Sequence, residues 1–397
     1  MNNWRKHIPY YVLEALFLAI AVFALVWVNK ATSVQKVELN QDQIVVNEEV
    51  YESILNGTET NVSDSINNSE TAENVADGDT SSNDINSENK VSKTESVDKA
   101  ALEKELSAKY NGKFTIAFFG VDSRDEQLGT GTRSDSIILC CVDIKSHKVK
   151  LISVYRDTYL NVGNDYYDKC NAAYGAGGPE RAISMLNTNL DLYVSDYITV
   201  GFRGLIDAID ALGGVPVDVT EEEIFHLNNY QMCMAEELGE EYVPVVFPGM
   251  QMLNGLQATA YCRIRYTSGS DFKRAERQRN VIEAMLERAG NVSIASLTDA
   301  LTAILPNVQT SLDVKDIVSM MTLAGNYEVS VSEGFPARNM LNGANLKPGQ
   351  CVIPTSLEAN VKLLHKLLYD EMNYEPSQTV KSYSKHIEDI TKGLLLW

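Results

Sequence analysis

Residues Ile8 to Val28 read IPYYVLEALFLAIAVFALVWV, and the stretch from 31 to about 105 that follows is polar, acidic and almost free of aromatics. This contrast limits what the chain can build. An apolar run of roughly 20 residues is long enough to span a bilayer as a helix. A segment rich in Asn, Ser, Thr, Glu and Asp cannot bury enough apolar surface to order itself. The packed core must therefore come from what lies beyond. Between residues 31 and 100 there are 4 Lys/Arg against 15 Asp/Glu, so much of the formal charge of −20 sits in this stretch. That balance excludes a general nucleic-acid binder, whose affinity comes mainly from neutralising phosphates.

The apolar run reads as an uncleaved anchor. A signal peptide usually has an apolar region of about 7–15 residues and a small-x-small cleavage site, and neither fits here. Trp4, Tyr10 and Tyr11 at one end and Trp27 at the other stand where interfacial aromatics do. Glu14 is the single carboxyl inside the run. Arg5, Lys6 and His7 precede the run, which favours a cytoplasmic N-terminus and an extracellular remainder. The expected organisation is a cytoplasmic N-terminus and transmembrane anchor (1–30) and a disordered acidic linker (31–105) that holds the next domain off the membrane. A catalytic domain (106–330) and a C-terminal extension (331–397) follow. A short helix is expected near Gln41–Leu55.

From Phe114 onward, strand-like and helix-like segments alternate, which predicts layered α/β architecture. FTIAFFGV (114–121), SIILCCVD (136–143), VKLISVY (149–155), YITVGF (197–202), VPVDV (215–219) and YCRIRY (261–266) read as strands. Residues 177–192, 203–214 and 271–290 read as helices, the last with Asp271 as N-cap and Gly290 at its end. Residues 291–330 read as helical, with one further helix over Leu357–Leu368. Six cysteines lack C-x-x-C spacing, and Cys233 with Cys262 is the preferred disulfide pairing.

Charged residues gather at predicted strand ends, where ligands of open α/β sheets bind. Asp122 and Arg124 follow the first strand, Arg133 and Asp135 precede the second, and Arg156 and Asp157 follow the third. If 261–266 is a strand, Arg263 and Arg265 share one face. Arg274, Arg277 and Gln278 share a face near the start of the next helix, whose dipole favours an anion. Arginine suits phosphate because its planar fork donates two hydrogen bonds at once. Two carboxylates beside such a site suit a divalent metal completed by phosphate oxygens, and Asp122 and Asp135 fill that role if their strand ends meet. The plainer alternative is surface charge paired with Glu276, Glu283 and Glu287. The histidines form no recognisable zinc set, and there is no Walker loop or G-x-S-x-G elbow.

These pieces in this order, FFGVDSR, GTRSDSIIL, VKLISVYRDTYL, KCNAAYGAGGPERA, DYITVGFRGLIDAIDALGGVPVDV, PGMQMLNGLQATAYCRIRY and DFKRAERQRNVIEAML, resemble the LytR–CpsA–Psr family of cell-wall glycopolymer ligases. The match runs from about Phe114 to Arg288; SVYRD stands where the family more often has an SxPRD-like sequence. The resemblance implies a three-layer α/β/α sandwich around a mixed central sheet, carried behind one transmembrane helix. It implies Mg2+, with Mn2+ as an alternative, and transfer of a glycan phosphate from a polyprenyl-pyrophosphate carrier to the muramic acid 6-hydroxyl of peptidoglycan. Carried over by position, Asp122 and Asp135 match the metal ligands. Arg133, Arg156, Arg263, Arg265, Arg274 and Gln278 match the pyrophosphate-binding set, which Arg124 and Arg277 extend by their placement. Asp157 and Asp271 match acidic positions near the reacting phosphate, with Arg156 beside them as a catalytic residue. The helices Ala182–Leu192 and Leu205–Leu212 and the stripe Val281–Leu286 are candidate walls for the family's lipid cavity, or ordinary core. The expected partners are the lipid-linked glycan, peptidoglycan and the cytoplasmic membrane, with no nucleic acid. The competing readings are a hydrolase acting on the same lipid, with water as acceptor, and a non-enzymatic envelope regulator.

Overall fold

The structure is a computed structural model that describes residues 35–40, 43–53, 98–122, 128–290, 292, 301 and 304–396. The expected anchor (1–30) and Arg124 lie outside these residues. Among those described, no helix is long and apolar enough to cross a membrane.

The strands in chain order are β1 (Gln35–Lys36), β2 (Lys113–Val121), β3 (Ser134–Asp143), β4 (Lys148–Val154), β5 (Tyr159–Asn161), β6 (Tyr167–Lys169) and β7 (Asp196–Val200). Then come β8 (Val215–Val219), β9 (Gly249–Leu253), β10 (Val308–Thr310), β11 (Glu328–Phe335), β12 (Leu341–Leu346) and β13 (Gly349–Pro354). Seven of them form one mixed sheet in the order β1-β10-β7-β2-β3-β4-β11. The centre is antiparallel through β2, β3 and β4, while β7 and β11 join it in parallel.

Both faces of this sheet are buried, so its strands are nearly continuous apolar runs. Successive side chains alternate between faces. Ala117, Phe119, Ile137, Leu139, Ile152 and Val154 share one core with the helices α2 (Ala172–Leu190), α8 (Leu357–Tyr369) and α9 (Gln378–Thr391). On the other face, Phe114 and Ile116 pack with α1 (Lys99–Lys109) and α7 (Val314–Leu323), and Ile138, Cys140 and Leu151 pack with α6 (Ser270–Ala289). The result is the expected three-layer α/β/α arrangement. Between β7 and α6 the chain adds α3 (Phe202–Ala211), β8, α4 (Glu221–Leu238), β9 and α5 (Gly255–Tyr261). This addition closes its own apolar cluster against Val281 and Ala284 of α6.

Several expectations are corrected. Residues 261–266 are not a strand: α5 runs to Tyr261 and turns at 262–263 follow. The reason lies upstream, where Asn254 and Gln257 form a reciprocal capping box that starts a helix. Helix α2 begins at Ala172, earlier than expected, and kinks at Gly177 and Gly178, the latter with φ +66°. Asp271 does not cap α6. The cap is Gly269 at φ +91°, a left-handed conformation that glycine tolerates, and the Asp271 side chain in the first turn pairs with Arg274 instead. Within 291–330, the described residues include strand β10 as well as helix α7.

The acidic stretch is partly ordered. Residues 48–53 are helical and β1 adds to the sheet beside β10. Leu39 and Ile44 pack against the main core, supplying apolar surface that an average composition hides. Position 330 marks no break in packing either, because β11 runs through it as a strand of the sheet and Val361, Leu364 and Leu368 belong to the main core. Every cysteine is a free thiol; Cys233 is exposed on α4 while Cys262 is buried, so the expected pairing is not made.

Candidate active site

Strand register brings the charged ends together. Val121 at the end of β2 pairs with Ser134 at the start of β3, so Asp122 and Asp135 flank one pair on neighbouring strands. Strand β4 ends at the same edge, and the chain continues into Arg156 and Asp157. Their backbone is fixed by its neighbours: Asn171 N–H donates to the Arg156 carbonyl at 3.2 Å, and Val352 N–H to the Asp157 carbonyl at 2.9 Å. Helix α6 points its first turn at this edge, carrying Asp271 and Arg274.

Asp135 is the centre of the cluster. Its Oδ1 accepts from Arg156 Nη1 at 2.7 Å and its Oδ2 from Arg265 Nη2 at 3.2 Å. Its backbone carbonyl accepts from Arg274 Nη2 at 3.1 Å, and the same nitrogen donates to Asp271 Oδ2 at 3.1 Å. Arg156 Nε lies 3.5 Å from Asp271 Oδ2 and 3.8 Å from Asp157 Oδ2. Asp157 is held on its far side by Lys169 Nζ at 2.8 Å. Arg156, Arg265, Arg274 and Lys169 thus interleave with Asp135, Asp157 and Asp271.

Burial alone would lower the pKa of Arg156, but Asp271, Asp135 and Asp157 together raise it. Arg274 is only 4% exposed and is pushed down to about 10, first by burial and then by the neighbouring Arg156 and Arg265, against the pull of Asp271 and Asp135. The Nε–H groups of Arg156 and Arg274 are buried without a hydrogen-bond partner. Arg265, Asp135, Asp157 and Asp271 keep between 24 and 39% of their side-chain surface open, so a ligand can reach the cluster. Such a surplus of guanidinium donors at an accessible strand edge fits a polyvalent anion.

The other expected residues fall in different places. Asp122 and Arg133 are exposed at the rim, and Gln278 is half-buried one turn beyond Arg274. Arg263 leaves the cluster: its guanidinium lies over the ring of Phe202 at 4.4 Å and that of Tyr230 at 5.4 Å. With no strand at 261–266, Arg263 and Arg265 do not share a face. Arg277 is 1% exposed and bonds Glu223 at 2.7 Å, the Ile264 carbonyl at 3.1 Å and Thr267 Oγ1 at 2.6 Å. It ties α6 to α4 and to the 264–267 turn. Two residues were missed. Lys169 reaches the site because β5 and β6 fold back as a hairpin beside Asp157. Arg338 stacks at 3.9 Å on Phe272, next to Asp271. No local signal announces either, since both come from segments remote in sequence or reversed by a turn.

The proposed lipid-cavity walls are largely closed core: Ile183, Leu186, Ile209 and Val281 are all buried in apolar clusters. A groove lined by Glu283, Leu286, Tyr327 and Val329 lies at the far end of α6, away from the arginines. Among the described residues, no three His, Cys, Asp or Glu side chains form a metal-binding group.

Comparison with known proteins agrees with this architecture. The chain is 32% identical over 230 residues to the polyisoprenyl-teichoic acid–peptidoglycan teichoic acid transferase TagU of Oceanobacillus iheyensis, covering 55% of this chain and 66% of that one. It is 28% identical over 304 residues to biofilm regulatory protein A of Streptococcus mutans, covering 68% and 73%. The crystal structure of B. subtilis TagV superposes with a TM-score of 0.53 at 24% identity, covering 67% of this chain and all of that one, and so shares the fold. The chain spans just under two thirds of the teichoic acid transferase it matches. The LytR_cpsA_psr family model matches residues 74–345, and the chain belongs to that family.

Proposed function

We propose that this protein transfers a phosphate-linked glycopolymer from a polyprenyl-pyrophosphate carrier to the muramic acid 6-hydroxyl of peptidoglycan, releasing polyprenyl phosphate. The observation that carries this reading is the cluster of Arg156, Arg265 and Arg274 around Asp135 at the open strand edge. Phosphoryl transfer depends mostly on positioning and on stabilising the charge of the moving phosphate. The three arginines would grip the pyrophosphate oxygens, and Arg133, exposed beside them, would reach the outer phosphate. The acceptor oxygen attacks the phosphorus that bears the glycan. The P–O bond to polyprenyl phosphate breaks, and that group leaves with the bond's electrons. Either Asp157 or Asp271, which flank Arg156, would take the acceptor's proton.

Hard carboxylate oxygens at Asp122 and Asp135 suit Mg2+, which usually takes one or two carboxylates plus phosphate oxygens. Bound there, it would neutralise phosphate charge. Each Asp135 oxygen accepts one arginine hydrogen bond and keeps a lone pair that could coordinate the metal. The same reading keeps residues 8–28 as an anchor, with the domain outside the cytoplasm, supported by the apolar run and its Arg5–Lys6–His7 flank.

The test incubates the purified full chain with Mg2+, a lipid-pyrophosphate-linked glycan and peptidoglycan oligomers, and analyses the products by mass spectrometry. A phosphodiester between glycan and muramic acid is expected. Phosphoglycan released only to water would make the protein a hydrolase. An unconsumed donor would favour a regulator.

A further inference from the structure

The most conspicuous exposed apolar surface of the described chain lies beside the candidate active site but takes no part in it. Phe225, Phe247, Met250 and Tyr266 are each between 69 and 75% exposed, and Val246 is 64% exposed. They are neighbours in space. Tyr266 lies near the His226 ring at 6.1 Å, with Phe225 beside it at the start of α4. Asn228 of α4 makes two hydrogen bonds to the backbone of Val245, at 2.8 and 2.9 Å, which fixes the 245–247 segment against that helix. Isolated exposed apolar side chains need no explanation, but a contiguous patch marks an interaction surface.

Strand directions say what faces this patch. Strand β7 runs parallel to β2, so Val200 lies at the sheet end that carries the site. Strand β10 starts opposite Val200 and runs the other way, with β1 parallel to it. The chain therefore enters the sheet at Gln35 from the site end. It then runs away from that end along α2: the Asn40 amide donates to Glu180, that of Val45 to Ser184, and Asn47 donates to the Thr188 carbonyl. Only six residues separate Val28, the end of the apolar run, from Gln35. Seven Cα–Cα steps span at most about 25 Å. The patch stands at the same end, because α4 starts where Glu222 accepts from Ser268 N–H at 2.9 Å, just before the site helix, and Gly249 pairs with Val219 immediately before α4.

We propose that Phe225, Val246, Phe247, Met250 and Tyr266 form a contact surface for the bilayer that holds the apolar run, seating the arginine cluster at the membrane surface. The proposal rests on the reading of residues 8–28 as an anchor. It replaces the expected spacer: the described residues begin at Gln35, with six residues between it and the apolar run, within reach of the bilayer. Glu221 and Glu222 stand in the first turn of α4 beside Phe225, so the contact is apolar rather than electrostatic. Zwitterionic lipid suffices, and anionic lipid does not strengthen it.

The test uses the full chain in phosphatidylcholine vesicles with acyl-brominated lipid as a quencher of tryptophan fluorescence. Four single-tryptophan versions are made by changing the other native tryptophans (Trp4, Trp27, Trp397) to Phe. One keeps Trp27, and the others carry Phe247→Trp, Met250→Trp or Met372→Trp. Met372 is exposed at the opposite end of the sheet, where Asp370 bonds Lys150. Quenching at positions 27, 247 and 250, with position 372 unaffected, is expected. Quenching at 27 but not at 247 or 250 overturns the contact surface and leaves the anchor standing. No quenching at 27 overturns the anchor and the proposal with it.

Discussion

Arg277, on α6, and Arg156, just beyond the end of β4, face opposite fates. Arg277 is sealed against Glu223, which is itself 3% exposed, so removing the guanidinium strands a buried carboxylate. Breaking a buried pair from one side typically costs about 3–5 kcal/mol. Arg277→Ala should therefore lower denaturant stability by that order, whereas Arg277 and Glu223 replaced together by apolar residues should lose less. Lys169 reaches Asp157 from the solvent side, and Lys169→Met should slow turnover several-fold without lowering the melting temperature. Activity and thermal melts on the same preparations separate the two effects. Of these residues, only those at strand ends were legible in the sequence. Asp135, Arg156 and Asp157 flank long apolar runs whose strand character is unambiguous, and the ends of neighbouring strands meet. Arg263 was misplaced because a four-residue alternation looks like a strand whether or not one forms. The Asn254–Gln257 capping signature, three residues apart, was the stronger local clue.

At the scale of elements, the docked N-terminal segment departs furthest from expectation. Asn47 is 5% exposed and donates to the Thr188 carbonyl at 3.0 Å, to Ser377 Oγ at 3.2 Å and to Asp191, which is 1% exposed. Truncation leaves these buried acceptors short of a donor, a loss of about 1–3 kcal/mol. Asn47→Ala should destabilise the whole domain by that amount in urea denaturation; an unchanged midpoint would mean that the segment is not part of the fold. The other edge device is Asp196, whose Oδ1 accepts from Ser311 Oγ at 2.8 Å and so clamps β7 to the turn after β10. Its pKa is raised, with burial outweighing its hydrogen bonds. A carboxyl whose folded pKa is raised costs stability once the pH rises above it, and the cost fades as the pH falls through that value. Asp196→Asn should thus raise the melting temperature at neutral pH and lose its advantage in acid. Composition could not foresee either contact, because each depends on a few side chains within segments of unremarkable average.

Over the whole molecule, the site is built from β2, β3, β4, the β5–β6 hairpin and α6, with Arg338 arriving from beyond β11. The layered α/β character was legible in the alternation of strand-like and helix-like segments, while the three-layer form came only from the family resemblance. The assembly of the site was legible only where register does the work. On the proposed function, Arg156 and Arg265, converging on Asp135, bind a pyrophosphate, while Arg263, stacked on Phe202, does not. Charge-assisted hydrogen bonds contribute about 1.5–3 kcal/mol each, and lysine cannot reproduce the bidentate fork. The direct measurement is the affinity for a lipid pyrophosphate, by calorimetry, in Arg156→Lys, Arg265→Lys and Arg263→Lys, each checked for unchanged melting. Affinity should fall by about 10- to 100-fold in the first two, since about 1.4 kcal/mol is tenfold, and stay within about twofold in the third. Wild-type affinity in Arg156→Lys and Arg265→Lys would contradict the assignment and return the cluster to surface charge.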